Sequence, residues 1–308
     1  MSAHERFTRF TFGSSGSPFL SDSATPQVLT PRNTLESSNR HSEHGAAAAP
    51  PAPRQQKPAA AHLAHLAANL SNPVPIARLH ISQLTPALFD AKFRQPGVPL
   101  VIEGAIDLSS FDWRLHSFVE TFDAEATYQC RVHGGDAFAR TPSKWSGKSH
   151  ARHVVPTTPR KYAQTITDGI AAREDCYVQA DIRGTRAGEA VEVTLRRLSA
   201  ATGLQIHRNY GPICNMWWGA PGHTEPLHMD ATDGTLCQLH GRKRIVLFPP
   251  SSWRDLYPFP SSETGMSWAF SQVVQSKPDL GRFPRLADAL PHKIELTLDE
   301  GEVLFIPC

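Results

Sequence analysis

The residues with the clearest chemical potential are His228 and Asp230, which are separated only by Met229. On an extended segment, side chains two positions apart project to the same face, so these two could grip one ion. An imidazole, a carboxylate and one further histidine form the facial arrangement that leaves positions open on Fe(II) for a cosubstrate and oxygen. The chain has 15 histidines. About one His-x-Asp is therefore expected by chance, and the alternative is a loop histidine followed by a turn aspartate.

A lysine in the next hairpin strengthens the case. Two short β segments, 235–240 and 243–248, flank the turn at Gly241 and Arg242. Strict alternation places Lys243 on the same strand face as Ile245. A lysine on an apolar, inward face is costly unless an anion meets it, and the distal carboxylate of 2-oxoglutarate is such an anion. The alternative is a register shifted by one residue, in which Lys243 or Arg244 merely caps an exposed hairpin.

The amino-acid composition changes after about residue 72, and the elements that must position these residues lie beyond that point. Residues 1–72 are rich in Ser, Pro, Ala and His, which predicts a disordered tail. The folded domain is predicted at 73–308. Within it, 76–200 is an α+β lead-in with helices at 84–93, 113–122, 159–173 and 191–201 and strands at 98–102, 127–132 and 176–180. From 201 to 308, short β segments at 213–218, 235–240, 243–248, 293–298 and 302–306 predict an antiparallel sandwich or barrel.

Composition excludes several classes of partner. The chain has 31 basic and 29 acidic residues, so no overall field would recruit nucleic acid or a membrane surface. Its five cysteines show no CxxC spacing, which argues against a disulfide framework and a cysteine zinc site. No apolar run reaches the ~18 residues of a membrane helix. We expect an intracellular protein of the cytoplasm or nucleus. Arg6 and Arg9 suit a mitochondrial transit peptide, but Glu5 and Asp22 argue against one.

Several runs of residues, in order and with matching gaps, resemble the core of JmjC-type (cupin-like) hydroxylases. They are Gly-His-Thr-Glu-Pro-Leu-His-Met-Asp at 222–230, Leu-Cys-Gln-Leu-His-Gly-Arg-Lys-Arg at 236–244, Leu-Phe-Pro-Pro at 247–250 and Leu-Tyr-Pro at 256–258. The run at 301–307 resembles the strand that precedes the family's distal histidine. The chain is similar in particular to the asparaginyl hydroxylase that inhibits hypoxia-inducible factor. The resemblance covers residues 76–308 and implies an α+β fold: a double-stranded β-helix (jelly-roll) barrel with flanking helices, C-terminally truncated.

The resemblance also implies roles for individual residues. His228 and Asp230 correspond to iron ligands, and Lys243 corresponds to the residue that binds the distal carboxylate of 2-oxoglutarate. The run Cys-Tyr-Val-Gln at 176–179 resembles the family strand in which the tyrosine hydroxyl also binds 2-oxoglutarate. Tyr177 takes that role, and Gln179 is implied to touch the substrate. The alternative for both is ordinary strand packing.

The sequence departs from the family pattern at two places. Glu225 stands where the family usually has Ser or Thr, three residues before the first ligand. Either the backbone shifts, or 2-oxoglutarate binding is altered, or the carboxylate points to solvent, which is the expectation we adopt. The chain also ends at Cys308, before the position of the family's third ligand, and we expect a truncated fragment or gene model with an incomplete iron site. Seven further histidines follow no metal spacing and are expected at the surface: His62, His65, His80, His133, His150, His153 and His207.

Three functions remain open from the sequence. The first is an oxygenase that uses Fe(II) and 2-oxoglutarate to hydroxylate, or demethylate by hydroxylation, a protein side chain or small molecule. The second is a catalytically incomplete cupin-like binding module or truncated product. The third is a cupin isomerase with a different metal and no 2-oxoglutarate. Lys243 and Tyr177 favour the first over the third, whereas the missing ligand favours the second for this particular chain.

Overall fold

Strands pair into two sheets in the computed structural model, which describes residues 8–13, 76–121, 126–134, 153–182, 184–204, 206, 215–230, 233–260, 270–274 and 278–308. Most of these residues were predicted to lie in the folded domain. The strands are, in chain order, β1 (Thr8–Gly13), β2 (Ala77–His80), β3 (Leu100–Glu103), β4 (Tyr128–Val132), β5 (His153–Thr157), β6 (Cys176–Asp181), β7 (Asn215–Gly219), β8 (Gly234–His240), β9 (Lys243–Leu247), β10 (Ile294–Leu298) and β11 (Val303–Ile306).

The larger sheet has the strand order β2-β3-β11-β8-β1-β7-β6-β4-β5. Neighbouring strands in it run antiparallel, except for the parallel pair β2 and β3. Strands β9 and β10 form a separate antiparallel pair in which Lys243 lies opposite Leu298 and Ile245 opposite Leu296. The strands predicted between residue 213 and the C-terminus are confirmed, with ends shifted by one or two residues. The described residues belong to one compact unit of α+β architecture.

Helices flank the sheets. They are α1 (Pro86–Phe89), which continues as a π-turn (Asp90–Arg94), α2 (Leu115–Thr121), α3 (Pro159–Thr167), α4 (Ile170–Arg173), α5 (Arg186–Thr202) and α6 (Leu286–Ala289). Short 3-10 turns lie at Ile81–Gln83, Pro250–Leu256 and Leu290–His292. Within the described ranges, no helix is both long enough and apolar enough to span a bilayer.

The longest helix shows why the predicted helices form. Its first turn is capped by Thr185, whose hydroxyl accepts a hydrogen bond from the Gly188 amide, and its end is marked by Gly203 in the left-handed region at φ 73°. Val191, Leu195 and Leu198 recur at helical spacing and are buried. The helix α5 therefore packs its apolar stripe into the core, as the sequence predicts.

The segment predicted to be a disordered tail contributes a strand. Residues Thr8–Gly13 form β1, which pairs with β7 on one side and with β8 on the other. Residues 1–7 and 14–75 lie outside the described residues. The tail therefore stays a prediction for those residues, while β1 was not foreseen.

Two small apolar clusters hold the loop of His228 and the strand of Lys243 in place. One consists of Leu256, Val273, Phe283, Leu286 and Ala289, and Leu227 packs against it. The other consists of Val101, Leu236, Leu298 and Leu304, and Ile245 packs against it. A larger cluster fills the space between the main sheet and the helices. The loop that carries His228 and the strand that carries Lys243 are thus each anchored by burial of an adjacent apolar side chain.

Candidate functional site

The loop that follows β7 is held in place on both sides of His228. Leu227 packs into the apolar cluster around Leu256, and its carbonyl accepts a hydrogen bond of 2.8 Å from the Ser271 amide. His228 forms an isolated antiparallel β-bridge with Phe270, and their ring centroids lie 5.3 Å apart. The backbone at His228 is therefore extended and held on both sides. The expectation that His228 and Asp230 project to the same face depends on this extended conformation.

The hydrogen bond of the His228 ring determines which nitrogen is available as a ligand. Its Nδ1 lies 2.8 Å from the carbonyl oxygen of Pro226, and a carbonyl can only accept, so Nδ1 carries the hydrogen. The lone pair then resides on Nε2. Metal-binding histidines commonly donate their other ring N–H to a backbone carbonyl in this manner. Half-buried His228 and exposed Asp230 therefore fit the imidazole and carboxylate donors of a divalent transition metal.

The end of β11 returns the chain to the same loop. The Cys308 amide donates a 3.0 Å hydrogen bond to Asp233, and its thiol lies 3.8 Å from the carbonyl oxygen of Asp230. Within the part of the chain that the structure describes, His228 and Asp230 do not belong to a group of three ligand atoms that lie within 4.8 Å of one another. The described residues thus place two candidate ligands, His228 and Asp230, in this loop, and their role as ligands stays a prediction.

The predicted register of β9 is confirmed. Lys243 is half-buried and lies opposite the buried Leu298, whereas Arg244 is exposed on the other face. Arg244 pairs with Glu295, and hydrogen bonds from Arg244 and Lys293 lower the pKa of Glu295 to about 2. The core face of β9 therefore carries the lysine that could receive an anionic cosubstrate, which fits 2-oxoglutarate. That role stays a prediction.

Tyr177 and Gln179 lie on one face of β6. The Tyr177 side chain is buried and stacks between His223, at 4.0 Å between ring centroids, and Trp217, at 5.2 Å. Gln179 accepts a 2.7 Å hydrogen bond from the Arg131 guanidinium. His223 belongs to the same loop as His228, so this loop connects the tyrosine to the proposed ligand pair. The predicted contacts of Tyr177 with 2-oxoglutarate and of Gln179 with substrate stay predictions.

Close packing of Tyr177 depends on the absence of a side chain at Gly219. A Cβ atom there would lie 3.2 Å from two carbon atoms of the Tyr177 ring. We expect Gly219→Ala to lower the free energy of unfolding by about 1–3 kcal/mol, because the buried ring must shift. Chemical denaturation measures this cost. In a Tyr177→Ala background the same substitution should cost clearly less, and an equal cost in both backgrounds would contradict the packing argument.

A buried polar cluster, which the sequence did not reveal, surrounds this tyrosine. It consists of His133, Asp175, His223 and Glu225. Nδ1 of His223 lies 2.7 Å from Asp175 Oδ1, and Nε2 lies 3.2 Å from Glu225 Oε1. The expectation that His133 lies at the surface is wrong, since its side chain is fully buried. The expectation that Glu225 points to solvent is also wrong, because its carboxylate faces His223 and is only 19% exposed.

The electrostatics of the cluster differ between its two imidazoles. Burial alone would lower the pKa of His223, but hydrogen bonds to Asp175 and Glu225 outweigh it and raise that pKa above its usual value. Burial and the charge of His223 lower the pKa of His133. The two carboxylates therefore favour the protonated form of His223, whereas burial favours the neutral form of His133.

Strand pairing explains why distant residues meet here. β6 pairs with β4 on one side and β7 on the other, with Cys176 opposite Val132 and Tyr177 opposite Gly219. The residues that lie just beyond these pairs are therefore close together, at the same end of the three strands. The strands themselves could be predicted from the sequence. Which residues of β4, β6 and β7 lie opposite one another could not, because sequence spacing does not determine strand register.

Comparison with known proteins identifies the family. The model of the cupin-like domain matches residues 86–308. The zebrafish protein lysine-specific demethylase 8 is 40% identical over 248 residues, which cover 75% of this chain and 53% of that protein. JmjC domain-containing protein D of Dictyostelium discoideum and lysine-specific demethylase JMJ31 of Arabidopsis thaliana are 40% and 36% identical over 93 residues.

These matches cover only part of each relative. The shared segment is 20% of the Dictyostelium protein and 17% of the Arabidopsis protein, and each covers 30% of this chain. The family model, in contrast, covers residues 86–308, which include every described strand except β1 and β2. The chain belongs to the cupin-like domain family and is related to its JmjC-containing members.

Proposed function

We propose that the protein is an Fe(II)- and 2-oxoglutarate-dependent oxygenase that hydroxylates, or demethylates by hydroxylation, a protein side chain or a small molecule. The observation that carries the proposal is the anchored loop at His228, where Nδ1 donates to Pro226 and leaves Nε2 for a metal, two residues before the carboxylate of Asp230. Two of the related proteins are named lysine-specific demethylases, which supports the same reaction class.

Each predicted residue has a defined task in this proposal. His228 and Asp230 hold iron, which would supply the site of oxygen activation while 2-oxoglutarate loses carbon dioxide and becomes succinate. Lys243, on the core face of β9, binds the distal carboxylate as a charged hydrogen-bond donor. The Tyr177 hydroxyl binds the same carboxylate, and Gln179 faces the substrate.

The third ligand would enter beside the end of β11. The family places its distal histidine a few residues after the segment that matches residues 301–307, and here Cys308 lies next to Asp230. A histidine that follows this strand would therefore approach the ligand pair from the same side. A complete site requires it, because two protein ligands do not define the facial geometry.

A binding module without catalysis is the second candidate, and Glu225 favours it. Glu225 occupies the position of the family's hydroxyl residue and faces His223. A carboxylate in that place adds negative charge near the position proposed for an anionic cosubstrate, which weakens binding unless His223 neutralises it. The protein could then retain the fold and bind a partner without turning over 2-oxoglutarate.

The fold of the two sheets and the cellular compartment of the protein are also part of this proposal. We propose that the two sheets belong to the double-stranded β-helix of the cupin family and that the protein works inside the cell. The described thiols of Cys130, Cys176 and Cys308 form no disulfide, which agrees with a reducing compartment. Its partner would be a protein or small-molecule substrate rather than nucleic acid or a membrane.

Formation of succinate tests the proposal. The protein, with any residues that its gene encodes after Cys308, is incubated with Fe(II), 2-oxoglutarate and oxygen, and succinate is quantified by mass spectrometry. An oxygenase forms succinate only when all three are present. Iron binding without succinate formation would support the binding module and contradict the proposed reaction. Turnover of a candidate substrate without 2-oxoglutarate would instead indicate a cupin enzyme of another class.

A further inference from the structure

Three chain segments bring together a second group of potential metal ligands, apart from His228 and Asp230. His133 follows β4, Asp175 precedes β6, and His223 lies in the loop after β7. One ligand atom from each residue lies within 4.8 Å of the other two. Two ligands of a tetrahedral zinc ion with bonds of about 2.1 Å lie about 3.4 Å apart. Ligand atoms that are up to 4.8 Å apart would therefore need to approach each other by up to about 1.4 Å to share one ion.

The backbone fixes two of these ligands relative to each other. The His133 amide donates a 3.1 Å hydrogen bond to the carbonyl oxygen of Asp175, and the Gly134 amide donates a 3.0 Å bond to that of Glu174. Asp175 itself adopts the left-handed region at φ 49°, which non-glycine residues visit rarely. The chain therefore holds a strained conformation that turns this residue out of β6 beside His133.

Both imidazoles carry the second hydrogen bond that metal-binding histidines usually make. Nδ1 of His133 lies 2.9 Å from the carbonyl oxygen of Asp175 and 4.0 Å from its carboxylate. The carbonyl can only accept, so Nδ1 carries the hydrogen, the lone pair resides on Nε2, and an ion would be bound through Nε2. Nε2 of His223 lies 3.2 Å from Glu225, which fixes Nδ1 as the nitrogen that faces Asp175. Carbonyl and carboxylate partners of this kind orient ligand rings and raise their affinity for metal.

Burial and charge also suit a cation. The side chain of His133 is fully buried, that of His223 is 7% exposed and that of Asp175 is 23% exposed. Two carboxylates, from Asp175 and Glu225, face the same imidazole. Negative charge in a largely buried place is costly unless a cation compensates it. The charge of Arg131 acts on Glu225, a proton on His223 would add one positive charge, and a divalent ion would add two.

We propose that His133, Asp175 and His223 form a zinc site, with Glu225 as the hydrogen-bond partner of His223. Two imidazoles and one carboxylate are the donors that Zn²⁺ accepts, and one coordination position would remain for water. This site uses none of His228, Asp230 and Lys243, and its test requires neither iron nor 2-oxoglutarate. The competing state is an ion-free network in which His223 is protonated between its two carboxylates.

Zinc titration of a protein that lacks the other ligand pair separates these states. The double variant His228→Ala/Asp230→Ala is stripped with a chelator and titrated with Zn²⁺ by calorimetry. We expect one equivalent to bind. Adding His223→Gln should weaken binding by at least about 100-fold, since loss of an outer hydrogen-bond partner alone costs about 10–100-fold. The matched control is His116→Gln, because the side chain of His116 is 84% exposed, and this change should leave zinc affinity unaltered.

X-ray absorption provides a measurement that does not depend on changing the cluster. In the zinc-loaded double variant we expect scattering from two imidazoles and oxygen at about 2.0–2.1 Å. Circular dichroism determines whether the His223→Gln protein is folded, and if it is not, the absorption result decides. Failure to bind one equivalent of zinc, sulfur ligation, or unchanged affinity in a folded His223→Gln protein would overturn the proposal.

Discussion

Replacing His228 or Asp230 by alanine is expected to lower the affinity for Fe(II) by more than about 100-fold, because even the loss of an outer hydrogen-bond partner costs about 10–100-fold. Each side chain is a proposed iron ligand, and Nε2 of His228 is the nitrogen left by the bond from Nδ1 to Pro226. Succinate formation should fall with iron binding. Equilibrium dialysis under anaerobic conditions, followed by quantification of bound iron, measures the effect.

Met229 offers a matched control within the same loop. It lies between the two ligands, and its side chain is 38% exposed. Met229→Ala should retain iron binding, because it removes neither ligand nor the contacts that anchor Leu227 and His228. If Met229→Ala and His228→Ala reduced iron binding equally, both changes would be disturbing the conformation of the loop. The result would contradict a role of His228 as a ligand.

Replacing Lys243 by alanine is expected to weaken 2-oxoglutarate binding by about 100-fold, or ~3 kcal/mol, since it removes one partner of a charged hydrogen-bonded pair in a sheltered place. Iron binding should persist, because Lys243 lies on β9 and not on the ligand loop. Titration of the iron-loaded protein with 2-oxoglutarate measures the change. The prediction thus separates cosubstrate binding from metal binding.

The neighbouring Arg244 is the natural control for Lys243. It carries the same charge one residue later, but it points to the exposed face of β9 and pairs with Glu295. Exposed pairs of this kind contribute little. Arg244→Ala should therefore leave 2-oxoglutarate affinity unchanged. An equal loss in both variants would mean that general positive charge, rather than the core-facing lysine, attracts the cosubstrate.

Much of the structure between residues 215 and 308 was predictable because its signals are local. In β9, side chains two positions apart share a face, so Lys243 was assigned to the face of Ile245, and the pairing of β9 with β10 agrees with that assignment. The helix α5 was predictable from the spacing of its buried residues. The boundaries were less accurate because turns and caps determine them, and these depend on a few residues each.

The buried polar cluster was not predictable for a physical reason. His133, Asp175 and His223 are separated by about 40–50 residues each, and only the pairing of β4, β6 and β7 brings them to one edge. Neither the register of those strands nor the burial of a histidine can be read from one chain. The strand β1 was missed for a different reason. Its six residues lie in a segment rich in Ser, Pro, Ala and His, and such a composition predicts disorder.

Anaerobic titration with Fe(II) and then 2-oxoglutarate tests the central claim most directly. Chelation of Fe(II) by 2-oxoglutarate produces a weak visible charge-transfer band that neither component shows alone. We expect this band in the protein that includes any residues its gene encodes after Cys308. We expect it to be lost in His228→Ala and to require more 2-oxoglutarate in Lys243→Ala. If that protein gives no band at saturating Fe(II) and 2-oxoglutarate, the oxygenase assignment is wrong.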